Sequence, residues 1–161
     1  MSTKVYRVVP ANKVDDIHIG DVVPIPKEDE NFVCAESKAK TEDVFESKRI
    51  VVRPDCPSRK ACLFVFPFSE EIIENWLSSA HAHDDFDYVL LTLDLTGTLV
   101  WCDMDKFTLA GTPYGARLCE TLARDYWESA SSDYSGFDLP EGLFLGHATI
   151  TNMEQKHHKG I

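Results

Sequence analysis

Arg53-Pro54-Asp55-Cys56-Pro57-Ser58-Arg59-Lys60-Ala61-Cys62-Leu63-Phe64-Val65-Phe66 is the stretch from which the architecture can be read. Pro54 and Pro57 each remove a backbone donor and fix φ, so they exclude regular structure between residues 53 and 59. On one side lies an amphipathic segment, Val44 to Val52. On the other, Ala61 to Phe66 is apolar without alternation, the pattern of a strand covered on both faces. The junction therefore presents Ser58 and Arg59 at the mouth of a core strand. With 27 acidic against 16 basic residues and a formal charge of −11, an arginine fixed there is a candidate contact for an anionic ligand group. Turn chemistry after Pro57, with Arg59 in an ordinary ion pair, is the plain alternative.

Outward from that stretch, Val5-Tyr6-Arg7-Val8-Val9 reads as a first strand closed by Pro10, with Arg7 its odd residue. Asp15 to Pro26 is broken by Gly20, Pro24 and Pro26, which predicts an irregular or briefly extended segment. Glu28-Asp29-Glu30 reads as a solvated turn and Asn31 to Ala35 as another short strand. Thr41 is placed to cap a helix with Glu42 and Asp43 in its first turn, while Ile50-Val51-Val52 favours extended structure at its end. Ser69 caps a second helix in which Ile72, Ile73, Trp76, Leu77 and Ala80 form an apolar stripe.

Tyr88 to Leu95 alternates as a strand does, and Thr96-Gly97 predicts a hairpin leading into Thr98 to Cys102. Thr112-Pro113 predicts a helix start, with Leu118, Cys119, Leu122, Ala123, Tyr126 and Trp127 as its buried stripe as far as Glu128. A polar loop, Ser129 to Asp138, precedes a final strand from Leu143 to Ile150. The expected organisation is one α+β domain over residues 1–153 with three main helices, and a frayed tail over residues 154–161.

A chain of 161 residues can bury roughly 70% of its unfolded surface, so a core without cross-links is feasible. Five cysteines are scattered with no Cys-x-x-Cys pair, which points to reduced thiols. No apolar run reaches membrane-span length and no export signal is visible, so a cytoplasmic protein that does not engage membranes is expected. His81-Ala82-His83-Asp84-Asp85 carries metal-ligand residue types, but neighbours at a helix end do not readily converge on one ion. Dipole-paired histidines followed by an acidic loop are the simpler account, and no metal site is assigned.

In order along the chain, Tyr6-Arg7-Val8-Val9, Gly20-Asp21-Val22-Val23, Phe45-Glu46-Ser47-Lys48-Arg49, Pro57-Ser58-Arg59 with Leu63-Phe64-Val65, Tyr126-Trp127, and Glu141-Gly142-Leu143-Phe144-Leu145-Gly146 resemble an uncharacterised bacterial and phage domain family. That family is similar in fold to ADP-ribosyltransferases. The resemblance implies a split two-sheet fold with an NAD-binding cleft, and mono-ADP-ribosyltransferase activity toward an unknown protein or nucleic-acid target. By order of position it implies that Arg7, Ser58 and Arg59 hold NAD and that Glu141 acts on the ribose. A carboxylate there would stabilise charge developing on the sugar as nicotinamide leaves, so Glu141→Gln is expected to end turnover with folding intact.

The chain departs from the superfamily pattern in having no Ser-Thr-Ser run. It also has no Glu-x-Glu or Gln-x-Glu pair before the last strand, where Pro140-Glu141-Gly142 stands instead. Read from its residues alone, Glu141 is a solvated loop residue and Arg7 an edge-strand arginine paired with a surface acid. The alternative function is non-enzymatic: an acidic interaction protein, such as a phage-encoded anti-defence inhibitor, whose clusters Asp15-Asp16, Glu28-Asp29-Glu30, Glu70-Glu71, Asp84-Asp85-Asp87 and Asp103-Met104-Asp105 would engage a basic partner surface.

Overall fold

The computed structural model describes residues 3–27 and 36–161. In chain order the elements are β1 (Thr3–Pro10), β2 (Val22–Val23), α1 (Glu36–Val52), β3 (Leu63–Pro67), α2 (Glu70–Ala80), β4 (Phe86–Asp103), α3 (Met104–Ala110), α4 (Cys119–Glu128) and β5 (Pro140–His158). Short 3₁₀ turns lie at Ala11–Lys13, Arg59–Ala61 and Ala116–Leu118. The mixed α+β class is as expected, with four α-helices among the described residues where three were anticipated. Five strands pair in the order β2-β5-β3-β1-β4, and β5 also pairs with β4. The expected turn at Glu28–Glu30 and strand at Asn31–Ala35 lie outside the described residues.

The chain divides into two compact units, each assembled from separate stretches. The first comprises Met1–Pro24, Phe64–Gly97 and Gly146–Ile161; the second comprises Ile25–Leu63 and Thr98–Leu145.

In the first unit β1 is antiparallel to β4 along its whole length, from Thr3↔Leu95 to Pro10↔Tyr88. Its antiparallel register with β3 comprises two pairs, Val5↔Pro67 and Tyr6↔Phe66. α2 packs on one face of this sheet, where Ile73 and Leu77 are buried with Tyr88 and Leu90, flanked by Tyr6, Val8, Phe66 and Trp76. Each such aliphatic side chain contributes about 1.5–3 kcal/mol by leaving water. Ser69 caps α2 as its sequence predicts, accepting from the Ile72 amide at 3.4 Å. Glu70 and Glu71 occupy the first turn, where the helix dipole favours acids.

Two expectations change in this unit. β4 runs unbroken through Thr96-Gly97, so the predicted hairpin does not form. A two-residue hairpin turn needs positive φ at its first central position or at both, and Thr96, like every described non-glycine residue, does not have it; Gly97, at φ 149°, lies within the continuous strand. β5 extends to His158 where a frayed tail was expected. Its end is fastened to the start of β4 by His157 Nδ1 to Asp87 Oδ1 at 2.6 Å, and to the α2–β4 connection by His158 Nε2 to the His81 carbonyl at 3.0 Å and the Ile161 amide to the Ala82 carbonyl at 2.9 Å.

The second unit is built on α1, α3 and α4. α1 packs on α4, and α4 on α3. Phe45 is fully buried, edge-on to Phe107 and Tyr126 with ring centroids 5.0 and 5.2 Å away. Trp127 Nε1 donates to the Phe45 carbonyl at 2.7 Å. α1 includes Thr41 as an interior residue and continues through Ile50-Val51-Val52. Thr41, Glu42 and Phe45 anchor its buried face, and that anchoring outweighs the few tenths of a kcal/mol each β-branched residue costs a helix. α4 starts at Cys119 rather than after Pro113. Thr112 instead closes the turn after α3, where its hydroxyl donates to the Leu109 carbonyl at 2.6 Å and accepts from the Gly115 amide at 3.1 Å.

Candidate functional site

The proline-rich junction is irregular, as its sequence requires, and its Ser58 and Arg59 side chains make their hydrogen bonds within the second unit. Ser58 is the N-cap of the Arg59–Ala61 turn: its hydroxyl accepts from the Lys60 amide at 3.1 Å and donates to Glu46 Oε2 at 2.6 Å. Glu46 is also held by Arg49, at 2.5 Å. Burial works against the charged form of Glu46, but hydrogen bonds from Arg49 and Ser58 outweigh it and keep the carboxyl below its ordinary range. Arg53 donates to the Ala130 carbonyl at 2.9 Å and pairs with Asp55 at 3.1 Å.

Arg59 is the centre of a buried polar cluster. Its Nε donates to Glu42 Oε2 at 3.0 Å and its Nη2 to Glu42 Oε1 at 3.1 Å. Nη1 donates to the Tyr126 hydroxyl at 2.7 Å and to Glu141 Oε1. Tyr126 in turn donates to the same Glu141 oxygen at 2.7 Å. The guanidinium lies 3.9 Å from the Phe107 ring centroid, within range for a cation–π contact. Arg59 is 6% exposed, and Glu42 and Glu141 are each 5% exposed.

At that depth electrostatics dominate. Burial alone would lower the arginine's affinity for its proton, yet Glu141, Tyr126 and Glu42 overcome it and hold the guanidinium charged, well above its ordinary value. Burial also pushes the Tyr126 hydroxyl well above its ordinary value, with Arg59 opposing and Cys102 and Glu141 adding. Two thiols border the cluster. Burial pushes Cys62 up to about 12 and Cys102 higher still, so neither is a nucleophile in this setting.

Of the four residues singled out from the sequence, the fold thus joins Arg59 to Glu141, and places Ser58 nearby in its own contact with Glu46. Glu141 is a core residue rather than a solvated loop residue, so the expectation that Glu141→Gln leaves folding intact does not carry over. Arg7 belongs to the first unit. It stands opposite Leu91 on β4, on the sheet face away from α2, next to the buried Val5, Val89 and Leu93. Its Nη1 donates to the Phe64 carbonyl of β3 at 2.7 Å.

Glu42, Phe107 and Tyr126 were not read as partners of Arg59. The available signal was the i, i+4 placement of Glu42 and Glu46 on the α1 face that also carries Phe45, facing a junction with two arginines, Arg53 and Arg59. Among the described residues no cluster of three or more His, Cys, Asp or Glu could hold a metal ion, and no described helix is long and apolar enough to cross a membrane.

Residues 12–158 match the model of a family described as a protein of unknown function, DUF2441. The chain belongs to this family. The match takes in Ser58, Arg59 and Glu141, the whole buried cluster and all of α1–α4, while Arg7 lies ahead of it. No curated protein matches the chain.

Proposed function

We propose that this DUF2441 protein binds NAD on the first unit's sheet, with Arg7 contacting the pyrophosphate, and that it binds without transferring ADP-ribose. The observation that carries the reading is the position of Arg7 where the β1–β3 register ends. The ladder goes no further than Tyr6↔Phe66, and at the next residue the Arg7 guanidinium reaches across to the Phe64 carbonyl at 2.7 Å. A guanidinium held on a sheet face beside apolar neighbours supplies a fixed fork for phosphate oxygens.

The transfer step is set aside because of the state of Glu141. The carboxylate that the resemblance assigns to the ribose is enclosed by Arg59 and Tyr126, so its acceptor capacity serves the fold. Ser58 and Arg59 are likewise engaged with Glu46 and Glu42. The acidic-mimic alternative gains less support: Glu70 and Asp87 of its clusters are engaged within the molecule by Lys156 and His157.

Isothermal titration with NAD tests the reading directly. Wild type should bind, and NAD at 100 times its dissociation constant should add about 2.7 kcal/mol of stability. Arg7→Ala, shown folded by circular dichroism, should lose binding, and Arg7→Lys should recover little of it. Absence of heat and of any melting shift at millimolar NAD would end the proposal, as would wild-type affinity in Arg7→Ala. Nicotinamide release that stops in Glu141→Gln would show instead that transfer occurs.

A further inference from the structure

We propose that α3 is a lid over the Arg59–Glu141 pair, able to lift and expose the buried guanidinium and carboxylates while the rest of the second unit stays folded. The proposal is independent of the NAD reading. Three observations, all within this unit, carry it.

First, α3 closes the cluster through one aromatic side chain. Phe107 covers the Arg59 guanidinium at 3.9 Å and meets Phe45 edge-on at 5.0 Å, while Ala110 is the helix's buried residue. A seven-residue helix held by so few buried groups belongs to the low-stability end of a fold.

Second, one flank of α3 is not packed. A groove of about 540 Å³ opens between Lys40, Thr41 and Val44 of α1 and the Ala110-Gly111 end of α3. Thr41 adjoins Glu42, so the groove approaches the cluster from the side that α3 borders. Leu109, Tyr114 and Leu118, on α3 and the connection after it, are large apolar residues left in solvent, so this region adds little burial to hold the helix down.

Third, both the lid and what it covers carry an electrostatic cost in the closed position. Burial, then the nearby charges of Asp138 and Glu141, raises Asp103 above its ordinary range against the opposing Asp105 amide and Lys106. Burial, then Asp103 and Asp138, does the same for Asp105. Acids with raised values favour the closed position below the ordinary aspartate value of about 3.9, and that preference is lost as pH rises through their raised values. Underneath, three charged groups are kept from water, and hydration on opening offsets part of the lost contact energy. The lid is pinned at its start by the Met104 amide bonded to the Leu139 carbonyl at 2.9 Å and at its end by the Thr112 turn. Opening therefore separates Phe107 from Arg59 rather than unravelling the chain.

Two thiols are reporters already in place. Cys62 and Cys102 are fully buried; Cys62 Sγ lies 3.9 Å from the Arg59 carbonyl, and Cys102 feels the charges of Glu141 and Arg59. The test is alkylation of the whole protein by iodoacetamide under native conditions at increasing urea, each cysteine quantified by peptide mass spectrometry. Cys56, also buried and beside Arg49 rather than under α3, is the internal control. Expected are Cys62 and Cys102 rates at least tenfold above the Cys56 rate in the absence of urea, with a urea dependence well below that of global unfolding. Phe107→Ala should raise those two rates at least a further tenfold and leave Cys56 unchanged. Cys62 and Cys102 rates that coincide with Cys56 and follow global unfolding in the wild type would overturn the proposal, whatever the variant does. Equal rates in a folded Phe107→Ala protein would overturn it too.

Discussion

Arg59→Met removes the hub of the buried cluster while keeping much of the side-chain volume, and its cost follows from what is left behind. The guanidinium makes bonds of 3.0–3.2 Å to both oxygens of Glu42, one of 2.7 Å to Tyr126, and one to Glu141. Without it two carboxylates at 5% exposure face the interior and lose the cation that pairs both of them. Deleting one partner of a buried ion pair costs about 3–5 kcal/mol. For a chain of this size that corresponds to a fall in Tm of roughly 6–20 °C. Urea denaturation followed by tryptophan fluorescence is the assay, with Trp101 and Trp127 reporting on the second unit and Trp76 on the first. Because the penalty lies in the uncompensated charges, combining Arg59→Met with Glu42→Gln and Glu141→Gln should recover most of the loss. A single-variant loss below about 1 kcal/mol, the size of an exposed pair, would refute the reasoning. So would a triple variant no more stable than Arg59→Met alone.

Two smaller perturbations address neighbouring parts of the same unit. Glu141→Gln keeps a carbonyl to accept from Tyr126 and Arg59 but loses the charge, so denaturation should show a loss of about 1.5–3 kcal/mol; an unchanged midpoint would mean the carboxylate is solvated. Gly115→Ala should cost at least about 1–3 kcal/mol, because a Cβ at that position would lie 1.7 Å from the Leu109 carbonyl oxygen; a wild-type melting curve would show that the turn after α3 can shift to make room.

How far the sequence reached is clearest from three places. α2 was legible as a whole because all its determinants are local: a serine cap, two acids in the first turn, and an apolar stripe at helical spacing. β4 was legible as extended structure, but the choice between a hairpin and one long strand was not. Thr96-Gly97 is compatible with both, and the partners that β4 takes are β1 and β5, far away in sequence. α1 showed the opposite failure, since local signals placed a cap at Thr41 and an extended end at Val52. Burial of Thr41, Glu42 and Phe45 carries the helix through both.

Composition and periodicity by themselves determined an acidic α+β chain, an irregular proline junction leading into a covered strand, and an arginine at that strand's mouth. Tertiary structure alone decided what the arginine does. Its ligands come from positions 42, 126 and 141, up to 82 residues away, and no local pattern encodes that convergence. A polar side chain at a strand entrance is equally suited to meet a solute or its own chain. The difference lies in whether two acids and a tyrosine are brought within hydrogen-bonding distance and closed off from water, which packing of the helices around Phe45 settles.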